Sequence, residues 1–446
     1  MGKRYFGTDG IRGRVGEAPM TPAFALQLGW AAGSVLGAGA PEARVLIGKD
    51  TRRSGYLFES ALEAGFSAAG VGVELVGPLP TPAVAFLARV QGARAGVVIS
   101  ASHNPHHDNG VKFFSAEGGK LDDALEQAIE DRLEQPLQCV APERLGLVRR
   151  LDDARARYVE HCCGLYQGAP LDGLRLVVDC AHGAAYQTAP AVLRRLGADV
   201  IAIADHPDGF NINHECGSTD LRLLARTVVA QGADLGIALD GDADRCLLVD
   251  AQGRTVDGDQ ILYLLAQDRQ ARGVLQGPVV GTLMSNLGLE LALRERGIGF
   301  ERAKVGDRYV YERLRETGGM LGGETSGHTL SLDRGITGDG IVTALQVLEV
   351  LQRHRQPLAT LLADLTLCPQ VLINVRIGVP AAPVLSSTAV AAAERSAAQH
   401  LAGRGRILLR ASGTEPLIRV MVEARDGEEC RRVAEDLAAV VRAAAH

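Results

Sequence analysis

Gly96-Val-Val-Ile-Ser-Ala-Ser-His-Asn-Pro105 is an apolar, β-branched run that ends abruptly in a small polar loop carrying Ser102. Such a run reads as a buried strand, and a hydroxyl held at its mouth is well placed for a nucleophile. The same texture recurs along the chain. Val45-Leu-Ile-Gly-Lys-Asp50, Arg175-Leu-Val-Val-Asp-Cys180, Leu235-Gly-Ile-Ala-Leu239 and Gly277-Pro-Val-Val-Gly-Thr282 are strand-like runs between Ala/Leu/Arg-rich helical stretches. That alternation predicts α/β layers in three related units. The texture changes at Pro369, where Val371-Leu-Ile-Asn-Val-Arg-Ile377, Arg406–Arg410 and Ile418–Glu423 read as strands of a smaller α+β domain. The expected units are 1–155, 156–255, 256–368 and 369–446.

With 446 residues the chain exceeds one core, and length alone suggests roughly three or four domains. A net charge of −6 leaves no cationic excess to displace counterions, and only 4% aromatic residues leave little for base stacking, so no nucleic-acid partner is expected. No apolar stretch reaches the length of a signal peptide or a membrane span, which predicts a cytoplasmic protein without a membrane partner. The eight cysteines include the vicinal pair Cys162-Cys163 but no C-x-x-C, so they read as reduced thiols rather than disulfides or a zinc site.

Asp240-Gly-Asp-Ala-Asp-Arg245 places three carboxylates at alternate positions directly after an apolar strand. In a curled loop they converge on one hard cation, and their mutual repulsion makes bound Mg²⁺ the natural resolution. An EF-hand is excluded by Arg245 at its glycine position and Ala251 at its bidentate position. Walker A, G-x-G-x-x-G and G-x-S-x-G motifs are all absent. Ser102 alone would be an ordinary loop serine. Its company changes the reading: Asn104-Pro105 and Asp108-Asn-Gly-Val-Lys112 form a rigid turn delivering polar groups and one cation. His103 is expected to point away from Ser102, being its sequence neighbour. In Gly322-Gly-Glu-Thr-Ser-Gly-His328, Glu324 and Ser326 offer an acceptor and a donor/acceptor suited to sugar hydroxyls. In Arg410-Ala-Ser-Gly-Thr-Glu-Pro416, Gly413 turns backbone N–H groups towards an anion that Ser412 and Thr414 flank, with Arg410 and Arg419 as phosphate ligands.

These motifs, with Gly7-Thr-Asp-Gly-Ile-Arg12, run in order along essentially the whole chain and resemble those of the α-D-phosphohexomutases. Tyr5–Gly13 and Val305-Gly-Asp-Arg-Tyr-Val310 resemble the bacterial hexosamine-phosphate branch. The phosphomannomutase/phosphoglucomutase branch usually has Gly-His where this chain has Gly306-Asp307. Thr325 departs from the Gln or Met common in relatives.

The resemblance implies an isomerase that interconverts glucosamine 6-phosphate and glucosamine 1-phosphate, feeding UDP-N-acetylglucosamine and cell-wall synthesis. It implies a phosphorylated Ser102, a glucosamine 1,6-bisphosphate intermediate, Mg²⁺ on Asp240, Asp242, Asp244 and a phosphoserine oxygen, and a homodimer. Three carboxylates and a phosphate exceed one Mg²⁺ by about three negative charges. Arg245 and Lys112 are the nearest cations by sequence, and Arg12 joins them by family analogy. His328 is the first candidate for general base and Lys112 the second, with His103 positioning the phosphoserine. The C-terminal domain is expected to hinge near residue 369. Two alternatives remain: a phosphomannomutase/phosphoglucomutase of the same mechanism, and a haloacid-dehalogenase-like sugar phosphatase, whose D-x-D Asp240-x-Asp242 echoes.

Overall fold

A computed structural model describes residues 3–40, 42–411 and 416–445. The first sheet comprises β1 (Ile11–Arg14), β2 (Arg44–Lys49), β3 (Gly72–Pro78), β4 (Ala95–Ile99), β5 (Asp108–Ser115) and β6 (Val148–Arg150), in the order β1-β5-β4-β2-β3-β6. The second comprises β7 (Arg175–Asp179), β8 (Asp199–Ile203), β9 (Leu235–Leu239), β10 (Cys246–Asp250) and β11 (Thr255–Val256), in the order β11-β10-β9-β7-β8. The third holds β12 (Val279–Thr282), β13 (Phe300–Ala303), β14 (Leu321–Gly323) and β15 (Thr329–Ser331), in the order β13-β12-β14-β15. A fourth, antiparallel sheet holds β16 (Gln370–Arg376), β17 (Gly405–Ala411) and β18 (Leu417–Ala424), with β18 central.

The first three sheets share one wiring. A central strand (β2, β7, β12) is flanked in parallel by the next strand on one side and the third strand on the other. A fourth strand then returns antiparallel beside the third. β2, β4, β7 and β9 are covered by helices and are almost wholly buried, which is why they read as unbroken apolar runs rather than alternating ones. The three related units expected from the sequence are therefore real, and the loops that stood out chemically are equivalent. Residues 100–107, 240–245 and 324–328 each join the third strand to the antiparallel fourth. All three lie at carboxyl ends of parallel strands, where open α/β sheets bind ligands.

One apolar cluster runs through all three units, from Leu46 and Val98 through Leu176 and Val178 to Leu262 and Leu348. The last sheet packs on helices Thr388–His400 and Gly427–Ala444 around a separate core that includes Val375, Val420, Val422 and Leu437. Three units thus share a core while the fourth carries its own. Among the described residues, no helix is long and apolar enough to cross a membrane.

Candidate active site

The three equivalent loops meet in space. Ser102 is 1% exposed, and its Oγ donates to Asp240 Oδ2 at 2.5 Å. Its φ of 51° is left-handed, at a cost of roughly 1–2 kcal/mol for a non-glycine residue. That conformation corrects one expectation. His103 does not point away: its Nδ1 lies 3.2 Å from Ser102 Oγ, because the left-handed turn brings neighbouring side chains to one side. The turn is held from outside. Arg52 Nη2 donates to the carbonyls of Asn104 at 2.5 Å and Ser102 at 3.2 Å. Asn213, from the second unit, donates to the same two carbonyls at 3.2 and 2.9 Å.

Asp240, Asp242 and Asp244 are buried, with one oxygen from each lying within 4.8 Å of the others. Lys112, on β5, places Nζ 2.8 Å from Asp242 Oδ2, 3.3 Å from Asp244 Oδ2 and 3.1 Å from Asp9 Oδ2. Arg245 Nε stands 3.8 Å from Asp244 Oδ1 and 4.0 Å from Asp240 Oδ2. Arg12, on β1, pairs with Asp9. His328 Nδ1 is 3.6 Å from Asp244 Oδ1, and its Nε2 is 3.6 Å from Asp307 Oδ2. Among the described residues, no hydrogen-bond donor reaches the buried Asp242 Oδ1 or Asp244 Oδ1. Buried carboxylate oxygens are rarely left so, and converging spare acceptors suit a hard divalent cation.

The charges sort by neighbour. Burial, then Asp244 and Asp242, push Asp240 well above the usual carboxylate range. Burial would raise Asp244 too, but Lys112 and His328 hold it well below. Burial disfavours the Lys112 ammonium, yet Asp242, Asp9 and Asp244 keep it charged, with its pKa well above the ordinary lysine value. Burial likewise opposes charge on His328, and Asp244 and Asp307 overcome it, lifting the imidazole to about 9. His103 goes the other way: burial, then Arg245 and Arg12, bring it to about 4. The two histidines therefore differ at neutral pH, His103 uncharged beside the serine and His328 an imidazolium beside the aspartates.

Close approach of the first two loops depends on Gly241. A Cβ there would sit 2.5 Å from the Ser102 carbonyl oxygen and 2.9 Å from Asn213 Nδ2. Gly241→Ala is expected to push the aspartate loop off the serine and lower kcat about 100-fold, with KM within about threefold, since ~1 Å of misplacement costs that much. Steady-state kinetics checks this; a kcat within twofold of the parent would show that the contact is slack.

The third loop presents Glu324 and Ser326, both half-buried, and Glu324 Oε1 accepts from the Gly306 N–H at 2.9 Å. Behind it, helix Gly258–Ala271 starts in a capping box between Asp257 and Gln260. Its Asp259 accepts from Thr325 Oγ1 at 2.9 Å and from the Asn286 N–H at 2.7 Å. Burial, then Asp257, push Asp259 up to about 7. Between about pH 4 and this value the folded protein binds a proton that the unfolded chain does not. Its stabilising contribution is complete at low pH and is lost as pH rises through the folded value. Asp259→Asn keeps an acceptor for both donors and has no charge to bury. It is expected to exceed the parent in stability by on the order of 3 kcal/mol at about pH 8 and to match it near pH 4. Urea unfolding at both pH values tests this, and a gap independent of pH refutes it.

Arg410 and Arg419 face each other in register across β17 and β18, and burial followed by Arg419 lowers the Arg410 pKa. Like charges placed directly opposite repel, and an anion between them would remove the penalty. These two arginines lie on the C-terminal sheet, apart from the serine–aspartate cluster. Ser412, Gly413 and Thr414 lie outside the described residues.

Family models described as phosphoglucomutase/phosphomannomutase α/β/α domains I, II and III and C-terminal domain match residues 3–138, 156–253, 257–367 and 372–440. The chain belongs to the phosphohexomutase superfamily. Within it, the chain falls in the bacterial phosphoglucosamine mutase branch. It is 58% identical to phosphoglucosamine mutase 1 of Shewanella frigidimarina over 99% of each chain, and 58% identical to phosphoglucosamine mutase 2 of Shewanella baltica over the full length of both. A phosphoglucomutase/phosphomannomutase family protein from Burkholderia thailandensis, 27% identical, superposes with a TM-score of 0.82 over 98% of this chain and 97% of that one.

Reading the sequence of this phosphohexomutase assigned no site role to Asp9, Arg52, Thr81, Asn213 or Asp307, although Gly306-Asp307 served to separate the two branches. Asp9 lies inside the quoted Gly7–Arg12 stretch, and Arg52 follows the strand-end Asp50 with which it pairs. Arg52 had the same signal that exposed Ser102, a polar loop after an apolar strand, whereas Asp9 precedes the first strand. Thr81 donates to Asp242 Oδ2 at 2.6 Å from 161 residues away, and Asn213 reaches Ser102 across 111. Separations that long leave no local pattern.

Proposed function

We propose that this phosphohexomutase interconverts glucosamine 6-phosphate and glucosamine 1-phosphate by lending and recovering the phosphoryl group of a phosphorylated Ser102. The observation that carries the reading is the buried Ser102 hydroxyl bonded to one member of a three-aspartate cluster. In the first half-reaction the free sugar hydroxyl attacks phosphorus, the P–Oγ bond breaks and glucosamine 1,6-bisphosphate forms. After the bisphosphate turns over, Ser102 Oγ takes back the other phosphoryl group. Mg²⁺ held by Asp240, Asp242, Asp244 and a phosphoserine oxygen would neutralise charge on the transferring group.

The chain's own residues supply the rest. Arg245, Arg12 and Lys112 offset the charge that one Mg²⁺ leaves over, and neutral His103 orients the serine end. Lys112 is committed to three carboxylates and releases its proton at high cost. Of the two, His328 gives up its own proton at lower cost, and in that neutral form it takes and later returns the proton of the reacting hydroxyl. Glu324 and Ser326 hold ring hydroxyls, and Arg410 and Arg419 hold the idle phosphate with the loop that joins their strands.

Initial rates on the 1-phosphates of glucosamine, glucose and mannose, with catalytic bisphosphate present, test the substrate. Glucosamine 1-phosphate is expected to turn over fastest. Equal or faster conversion of mannose 1-phosphate would move the chain to the phosphomannomutase/phosphoglucomutase reading, and release of inorganic phosphate without isomer would make it a phosphatase.

A further inference from the structure

The fourth unit touches the third through a small polar joint. Arg406, on β17, donates to the carbonyls of Leu283 at 2.7 Å and Ser285 at 2.8 Å, and it pairs with Glu423 on β18. Glu423 Oε2 also accepts from the Leu287 N–H at 3.1 Å. Asn286 grips the inter-unit connection itself: its Oδ1 accepts from the Cys368 N–H at 2.8 Å, and its Nδ2 donates to the Cys368 carbonyl at 3.0 Å. Residues 283–286 follow β12, the central strand of the third unit. They are thus the partner of the C-terminal domain on one side.

On the other side the same short loop reaches the sugar loop. The Asn286 N–H donates to Asp259 Oδ2, and the Thr325 hydroxyl, between Glu324 and Ser326, donates to that same oxygen. The Gly258 N–H donates to the Thr325 carbonyl at 3.0 Å, so the start of the helix is fixed to the sugar loop. A Cβ on Gly258 would lie 2.0 Å from the Glu324 carbonyl oxygen, so the two segments are in direct contact. A continuous set of hydrogen bonds therefore runs from Thr325 through Asp259 and Asn286 to Cys368. Two carboxylates along this joint hold unused capacity. Among the described residues, no hydrogen-bond donor reaches the buried Asp259 Oδ1 or Glu423 Oε1. A buried acceptor left bare is unfavourable, so the joint is held by less than its full complement of hydrogen bonds.

We propose that Asp259 and Asn286 are positioning residues that make the placement of the C-terminal domain depend on the sugar loop, so that the domain stays closed while a sugar occupies Glu324 and Ser326. This rests on the mutase reading above, because only an enzyme that must reorient a bound bisphosphate needs its phosphate-gripping domain to loosen without opening. The linkage affects retention of the intermediate more than capture of the substrate. Neither residue touches the reacting atoms.

The test counts glucosamine 1,6-bisphosphate escaping into solution per product formed, using the full-length phosphorylated enzyme and labelled glucosamine 1-phosphate. Thr325→Val, Asp259→Ala and Asn286→Ala are each expected to raise escape about five- to tenfold, the size of one lost hydrogen bond, with KM within about threefold. Asp259→Asn, which keeps the acceptor, is expected to restore escape to the parental level. Thr325→Val removes one half-buried hydroxyl and keeps the backbone bond to Gly258, so it remains informative if the alanine variants fail to fold. Parental escape in folded Thr325→Val overturns the linkage, as does a KM that rises in step with escape, which would mean the sugar loop had only lost its grip. A parent enzyme that forms no isomer would instead sink the mutase reading itself.

Discussion

Replacing Ser102 by alanine is expected to lower glucosamine-phosphate isomerisation by at least about four orders of magnitude, the scale seen when a covalent catalyst loses its nucleophile. Ser102 Oγ is the hydroxyl poised against Asp240, and every phosphoryl transfer in the proposed cycle passes through it. The variant should fold. Alanine removes one hydroxyl, while Arg52 and Asn213 bind the backbone carbonyl of residue 102, which alanine retains. It leaves Asp240 without one donor in a site already crowded with negative charge, and a bound cation offsets that. The intact mass of the parent should include a phosphate that the variant lacks. Phosphate mapped to another residue, or full activity in Ser102→Ala, would end the phosphoserine scheme.

The second large effect has opposite signs in stability and activity. Asp240 is fully buried, and Asp244 and Asp242 add their repulsion to the cost of burying its charge. Asp240→Asn preserves the shape. Its amide oxygen can still accept from the Arg245 N–H, as Asp240 Oδ1 does at 3.1 Å. Its NH₂ can donate to Ser102 Oγ, which rotates from donor to acceptor. The metal-free variant is expected to be more stable than the parent by on the order of 1–2 kcal/mol, as when buried charge is replaced by a neutral isostere. The same change removes a metal-binding charge, so kcat should fall about 100- to 1,000-fold. Thermal melts with and without Mg²⁺ separate the two terms: the parent gains stability with added Mg²⁺ by mass action, and the variant gains much less. A variant that melts below the metal-free parent, or keeps the full Mg²⁺ shift, contradicts this account.

Much of the fold was legible because buried parallel strands must be apolar throughout. Val45–Ile47, Val97–Ile99, Leu176–Val178 and Leu235–Leu239 announce themselves for that reason. The polar loops that interrupt them are as conspicuous, so the loops carrying Ser102, the three aspartates and Glu324 stand out without coordinates. The orientation of His103 was misjudged because the usual rule for sequence neighbours assumes extended backbone, and Ser102 is left-handed.

The sequence by itself determined which chemical groups this protein owns and on which loops they sit, since strand-end loops are local features of composition and order. Only the tertiary structure decided that the serine, aspartate and sugar loops are the same connection in three copies of one unit, and that they converge. It alone brought Asn213 to Ser102, Asp9 and Lys112 to the aspartates, and Asn286 to both Asp259, behind the sugar loop, and Cys368. Those contacts span up to more than 100 residues of chain, and packing between sheets, not local pattern, sets their distances.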